Sequence, residues 1–474
     1  MMAILKQITA IIVLVQLCSG CALLERTFAD PVETAKREVD TTGYTPLGYR
    51  DFFTDTTLLS LLDSAVLNNP DLLAAYQRIE IARADLAARH FAIFPQMQAR
   101  VSAGQRRFGA YTMDGVGNFD TNFSPNISEE QKMPEHLPDF FAGLQASWEI
   151  DIWRRLRNGR EAARERYLQQ AEARNWVLSN LVASIASTYY ELLSLDNELI
   201  ILEEFIRLQE NAELIISYQK MAGQATELAV QQFKAQTLSS KNMRVEALQK
   251  VVQAENRLNY LLGRFPLPVR RDPDAFNDSL QDLPVVIPPS MIRNRPDIVR
   301  AEHGIREAKL NFSVAEAALY PRLSLDVLAG FQSFNPGFFL SPASITYNLF
   351  GSMVAPLVNR APLKAALRVT GSRQRNALYE YQKSVLNAYS EVSTEIANLQ
   401  NLTQMLTFKS QEAEVSANAV ITANALFRTG RATYLEVIIT QKNALLTQLQ
   451  LVNLRERRFK AAISLYKALG GGWR

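Results

Sequence analysis

The chain reads as mainly α with membrane-spanning β-strands, laid out as two internal repeats. Three observations predict this. Two very long stretches lack Gly and Pro, from Arg160 to Ala222 and from Ser372 to Thr429. Each is followed by one Gly, a second unbroken run and another Gly, and Gly223–Gly263 has the same spacing as Gly430–Gly470. Four runs elsewhere alternate polar and apolar residues over the length of a tilted membrane strand. Self-similarity of this kind outranks any local motif as a fold signal.

The unbroken runs are rich in Ala, Leu, Glu, Gln, Arg and Lys, all good helix formers. At 1.5 Å per residue, roughly 60 residues of helix span about 90 Å, far more than a globular helix needs. Each run therefore predicts a long helical hairpin. Leu181, Ile185, Thr188, Leu192, Leu195, Leu199 and Leu202 recur at threes and fours, a coiled-coil seam.

The N-terminus is a targeting segment. Lys6 precedes the apolar stretch Ile8–Leu17, which is too short to span a bilayer comfortably. Gly20-Cys21 resembles a bacterial lipobox, although Cys18 stands where Leu is common. Residues 1–20 are expected to be a lipoprotein signal and Cys21 the lipidated first residue of the mature chain. Ala22 after the Cys favours the outer membrane by resemblance to known sorting rules. Residues 21–50 are expected to be an irregular tether.

Residues 51–95 return to helical period. Leu58, Leu61, Leu62, Ala65 and Val66 form one stripe, and Pro70 sits at a favourable first-turn position for the next helix. Pro70-Asp71 to Pro95 recurs as Pro296-Asp297 to Pro321 at the same spacing, which places repeat 2's short helices in 290–321. After each of these prolines the period changes to 2. Met97, Ala99, Val101 and Ala103 alternate with polar residues, as do Ala142 to Ile150, Leu323 to Phe331 and Ile345 to Met353. The two strand pairs fall in 96–152 and 322–357. A long loop, Arg106 to Pro138, joins the first pair and a short one near Asn335-Pro336-Gly337 the second. The hairpins occupy 153–263 and 358–470. A proline-rich linker, 264–289, lies between the repeats and residues 471–474 form the tail.

Four strands cannot close a membrane barrel, because open edges leave backbone groups unpaired in lipid at several kcal/mol each. Bacterial barrels begin at about eight strands. A homotrimer supplies twelve, with pseudo-sixfold symmetry from the two repeats.

No chemistry-bearing constellation is present. His90, His136 and His303 are scattered, no phosphate loop appears, and two Cys (Cys18 and Cys21) make no disulfide framework or Cys metal site, so no catalytic, cofactor or metal site is expected. The Met residues are dispersed and give no support for a methionine-based copper path. The net charge of +3 gives no argument for nucleic acid.

Together, the lipobox, Asn68-Asn69-Pro70-Asp71, Phe94-Pro95, Trp148-Glu149-Ile150-Asp151-Ile152-Trp153, Arg295-Pro296-Asp297, Tyr320-Pro321, Ala355-Pro356-Leu357 and the paired glycines resemble the TolC-type outer-membrane efflux channel family. The closer likeness is to its lipoprotein branch. The resemblance covers nearly the whole mature chain. It implies a trimeric 12-strand outer-membrane β-barrel continuous with a 12-helix periplasmic α-barrel. It also implies a passive conduit served by a periplasmic adaptor (membrane fusion) protein and an inner-membrane transporter of the RND type. Two other readings of the same repeats are a type I-like protein export channel and a non-conducting structural coiled-coil lipoprotein.

Arg154 stands where the family often has Gly, and Asn359-Arg360 replaces a common Gly-Gly pair; both departures fall at barrel-to-helix junctions. By family position the adaptor-docking tips are Met221, Ala222, Gly223 and Gln224 together with Arg428, Thr429, Gly430 and Arg431. Family members close the tunnel with acidic rings on the helix before the second turn, but Val415 to Gly430 holds no carboxylate. A gate here would draw instead on Tyr218, Glu227, Arg428, Arg431 and Glu436.

Overall fold

The computed structural model describes residues 48–276 and 294–473. Nine α-helices and four strands are described. Repeat 1 contains α1 (Tyr49–Phe52), α2 (Thr56–Asn68), α3 (Pro70–Phe91), β1 (Gln96–Arg106), α4 (Met113–Thr121), β2 (Leu137–Ile150), α5 (Arg155–Met221) and α6 (Glu227–Leu261). Repeat 2 contains α7 (Pro296–Ala317), β3 (Arg322–Ser333), β4 (Ile345–Val354), α8 (Ala361–Arg428) and α9 (Tyr434–Ala468). Cys21 and residues 277–289 of the linker lie outside the described residues.

The long helices begin earlier than the Gly-free runs. α5 includes Gly159 and α8 includes Gly371, so their lengths are 67 and 68 residues, each about 100 Å at 1.5 Å per residue. A helix this long tolerates the roughly 1 kcal/mol that one internal Gly costs. Helix α1 starts within the stretch expected to be irregular, and α4 lies inside the expected outer loop.

The four strands form one antiparallel sheet in the order β1-β2-β3-β4. Its register lines up the apolar residues row by row. Val101 opposes Ala142, which opposes Phe331, which opposes Ile345; Ala99, Leu144, Ala329 and Tyr347 form the next row. That face is bare: Val101 is 82% and Tyr347 81% exposed. The opposite rows are polar, with side-chain hydrogen bonds from Gln98 to Gln145 (3.3 Å) and between Ser324 and Ser352 (2.7 Å). Phe141, Leu328 and Phe350 interrupt the polar rows. Phe141 is nevertheless buried, because Gly143 and Gly330 face each other beside it. A Cβ on Gly143 would sit 2.3 Å from the Ala329 carbonyl and 2.9 Å from the Phe141 ring. Among the described residues no helix is long and apolar enough to cross a membrane.

The helices form a layer that continues the sheet order. Near the sheet α3, α5, α7 and α8 lie side by side; near the hairpin turns the order is α6, α5, α9 and α8. α5 and α8 run through both halves. The other two columns are spliced, α6 into α3 and α9 into α7. At the first splice Asn69 caps α3 by accepting from Leu72 N–H (2.9 Å), while its amide donates to the Leu261 carbonyl at the end of α6 (2.8 Å). At the second, Arg295 donates to the Ala468 carbonyl at the end of α9 (2.8 Å), to Asp297 (2.9 Å) and to Glu391 of α8 (2.8 Å). Helix ends leave carbonyls without intrahelical partners, and these side chains supply the donors. Gly263 and Gly470, both with positive φ, end α6 and α9 at the joints. At Gly263 a Cβ would meet the Asn68 carbonyl at 2.2 Å.

Among the described residues, Arg154 (φ 59°) and Asn359 (φ 55°) are the two non-Gly residues with left-handed backbone. These are the positions where Gly was expected from the family pattern. Asp151 holds the first junction, accepting from Leu156 N–H (3.0 Å) and Arg157 N–H (2.9 Å). Trp153 ties it to the repeat 2 junction by donating to the Pro321 carbonyl (2.8 Å).

Two outcomes follow for stability, read as thermal midpoints of the detergent-solubilised protein. Arg295→Ala strands two carboxylates and a carbonyl on a side chain that is 2% exposed; the loss is about 3–5 kcal/mol, against about 1 kcal/mol for Asn69→Ala. Equal losses at the two splices would contradict this account. Arg154→Gly relieves left-handed strain of about 1–2 kcal/mol, partly offset by the entropy of a new Gly, and raises the midpoint more than Asn359→Gly, because Asn tolerates that conformation.

Candidate functional site: the open helix face and the hairpin turns

The lower helix layer has one covered face and one open face. Phe52, Phe53, Leu58 and Leu62 of α1–α2, with Val269, Ala275 and Phe276, pack on Ile185, Tyr189, Leu192, Phe459, Ile463 and Tyr466. Phe52 stacks on Tyr466 at 4.1 Å. Arg271 pins the covering segment by pairing with Asp196 (2.5 Å) and Glu255 (2.6 Å). Tyr189 donates to Asp55 (2.5 Å) beneath it, and burial pushes its hydroxyl well above the ordinary tyrosine range.

The same helices present polar side chains on the opposite face. A groove of about 470 Å³ is lined by Ser184, Ser187 and Glu191 of α5, Arg257 of α6, and Lys460 and Lys467 of α9. Toward the turns a second groove, about 630 Å³, adds Glu198, Lys250, Lys409, Glu412 and Arg457. Burial holds the Glu198 carboxyl above its usual range. The sequence reasoning did not single out these wall residues. Their signal is the stripe Asn453, Arg457, Lys460, Ser464, Lys467 that runs beside the buried Val452, Phe459, Ile463 and Tyr466, one residue on.

The two hairpin turns share one backbone design. After Met221 and Ala222, Gly223 takes φ 75° and Gln224 N–H closes on the Gln219 carbonyl (2.8 Å). After Arg428 and Thr429, Gly430 takes φ 71° and Arg431 N–H closes on the Leu426 carbonyl (2.9 Å). This is the ordinary Gly-terminated helix end. Thr226 and Thr433 then cap α6 and α9.

The five gate candidates all lie at these turns, but two already have intramolecular work. Glu227 forms an ion pair with Lys220 across the first turn, which lowers its pKa. Glu436 completes a capping box, accepting from Thr433 N–H (2.6 Å) and Thr433 Oγ1 (2.9 Å). Those bonds, the backbone one first, hold its carboxyl below the usual glutamate range. Tyr218 is 60% exposed, and Arg428 and Arg431 make no ion pair among the described residues.

Catalytic geometry is not assembled from the histidines. His303 Nδ1 lies 2.6 Å from the Glu165 carboxylate, linking α7 to α5, and His90 packs between Phe91 and Phe94. Among the described residues no group of three metal-ligating side chains occurs.

The box at Thr433 makes the second turn pH-sensitive. A depressed carboxyl pKa contributes stability above the unfolded value and loses it as pH falls through the folded one. Hydrogen exchange should show the Thr433 amide, which donates to this carboxylate, protected at neutral pH and losing that protection as acid protonates the carboxyl. Glu436→Gln keeps the box but abolishes the pH dependence; unchanged protection in Glu436→Ala would contradict the assignment.

The outer membrane efflux protein model matches residues 61–264 and 287–471. The cation efflux system protein CusC of Escherichia coli K12 is 28% identical, over 91% of this chain and 90% of its own length. The pyoverdine export outer membrane protein OpmQ of Pseudomonas putida is 30% identical, over 89% of this chain and 87% of its own. A crystal structure of CusC superposes with a TM-score of 0.80 at 27% identity, covering 92% of this chain and 97% of that one. The sheet and helix layer are thus the β-barrel and α-barrel portions of an outer-membrane channel. The chain belongs to the outer membrane efflux protein family and is the outer-membrane channel component of a tripartite efflux system.

Proposed function

We propose that three copies enclose one aqueous bore and that this bore is a passive conduit for small molecules. The observation that carries this reading is the match between open edges. β1 and β4 are the unpaired edges of the sheet. On the same two sides of the helix layer, α6 exposes Leu238, Val245, Leu248 and Val252, and α8 exposes Phe408 and Val415. The heptad spacing of 238–245 and 408–415 is that of a seam awaiting a partner. Adding copies edge to edge pairs the strands and covers the seams together. The covered face, with α1–α2 on it, is then the outside, and the polar open face lines the bore.

In this reading the turns Met221–Gln224 and Arg428–Arg431 dock a periplasmic adaptor, and the wall continues toward an inner-membrane transporter of the RND type. Cys21 carries the lipid that tethers the chain to the outer membrane. Tyr218, Arg428 and Arg431 serve the gate directly; Glu227 and Glu436 join it only by releasing Lys220 and Thr433. The energy for transport comes from the partner pump, and the chain itself catalyses nothing.

The test is a planar bilayer. The purified protein should conduct ions, and loosening the turns by Arg428→Ala with Arg431→Ala should raise the current. A trimer that inserts yet stays silent, with and without those substitutions, would sink the conduit. Deleting the gene should raise sensitivity to small toxic compounds; a defect confined to secreted proteins would instead identify a protein exporter.

A further inference from the structure

Three buried polar side chains interrupt the apolar packing of the lower helix layer. Gln209 of α5 is 0% exposed, and Ser240 of α6 and Gln441 of α9 are each 1% exposed. Helix register puts them at one level. Next to Gln209 and Ser240, Glu210 pairs with Lys241 at 2.7 Å. Tyr190 stacks on Phe459 at 4.3 Å, and from that contact Gln209 lies nineteen residues along α5 and Gln441 eighteen residues back along α9. Both amide atoms of Gln209, both of Gln441 and the Ser240 hydroxyl lack a hydrogen-bond partner among the described residues. Polar groups buried this way cost free energy, and native chains carry few of them.

The polar level divides two apolar clusters. On the sheet side, Phe205 of α5, Ala247 of α6 and Leu445 of α9 belong to one cluster. On the turn side, Ile216, Phe233 and Val437 of the same three helices belong to another. The two clusters share no residue. Thr237, also buried, satisfies only its own helix by donating to the Phe233 carbonyl (3.0 Å). α8 passes the level with apolar residues, Val420 joining the first cluster and Ala423 the second. All five gate candidates lie on the turn side.

We propose that Gln209, Ser240 and Gln441 form the hinge on which the turns open. The segments beyond it move as one unit while the helices on the sheet side stay in place. Any arrangement that lets the three side chains reach water or one another removes the cost of the present one. Shear at this level also breaks no apolar cluster, so the turns open more easily here than at any apolar level of the layer. The proposal rests on the reading that the turns are the gate.

The experiment uses the full-length protein, with hydrogen exchange in detergent and current in a planar bilayer. Turn-side amides such as Ile216 and Val437 should exchange together, and faster than Phe205 and Leu445 on the sheet side. Gln209→Met with Gln441→Met replaces both amides by apolar side chains of similar length. It should slow turn-side exchange about tenfold, leave Phe205 and Leu445 unchanged and shorten the time the channel spends open. Residues that served packing alone would change exchange on both sides alike. That outcome would overturn the proposal, as would a parent protein whose exchange rates change smoothly through the level, which is read without any variant. Conduction without an exchange boundary would overturn the hinge and leave the conduit. A sharp boundary that the double variant slows, in a protein that never conducts, would count against the conduit and support the hinge.

Discussion

The structure depends on joining four strands to four helical columns. A sheet that spans a membrane cannot simply stop, because each strand must hand its chain to a continuing element or expose its end. Two columns are solved by single helices, α5 and α8. The other two are built from shorter helices laid end to end, and each joint sets a row of unpaired carbonyls against an incoming N-terminus. Asn69 and Arg295 resolve that conflict by donating to Leu261 and Ala468. The same geometry is met by different chemistry. Asn69 is a neutral cap that also reaches across. Arg295 is a buried cation that needs Asp297 and Glu391 to be tolerated, and it lies over Trp176 at 5.9 Å. A buried charge is stable only when its partners are all in place. The second splice therefore fixes α7, α8 and α9 relative to one another, whereas the first fixes only α3 and α6.

With the columns fixed, the division of faces follows. α1, α2 and the segment through Phe276 cover one side of the lower layer with aromatic and aliphatic side chains. The other side keeps water, so its residues are chosen for solubility and charge rather than packing. The edges are a separate matter. They expose apolar seams in the helices and backbone groups in the sheet, and neither is acceptable for a chain on its own. One assembly step answers both needs, which is why the helical and strand parts keep the same lateral order.

Much of this is legible in the sequence because it rests on residues whose conformational demands are narrow. Gly223, Gly263, Gly430 and Gly470 all take positive φ, and their equal spacing marks the repeat in the amino-acid order itself. Pro70 and Pro296 open helices where their missing N–H does no harm. What is not legible depends on context. Gly159 and Gly371 read as breaks but lie within helices that the layer holds straight. Arg154 gives no local hint of a left-handed backbone; only its place in the family pattern points to it. The cations Arg257, Lys460 and Lys467 look like ordinary solvated positions until the covered face of the layer is known. Once Phe459, Ile463 and Tyr466 are assigned to that face, the stripe one residue away becomes a wall.

Bore width limits what such a wall can do. Twelve columns spaced about 10 Å apart make a ring whose axes lie roughly 19 Å from the centre. Subtracting about 5 Å for the helix body leaves a radius near 14 Å, and long Lys and Arg side chains reach well into it. The charged ends then sit at a distance from the axis comparable to the Debye length, about 8 Å at physiological ionic strength and about 3 Å at 1 M. The wall can bias which ions travel at cellular salt, but it cannot discriminate between two solutes of the same charge. Fine selection must therefore occur where solutes enter, at the pump and the turns.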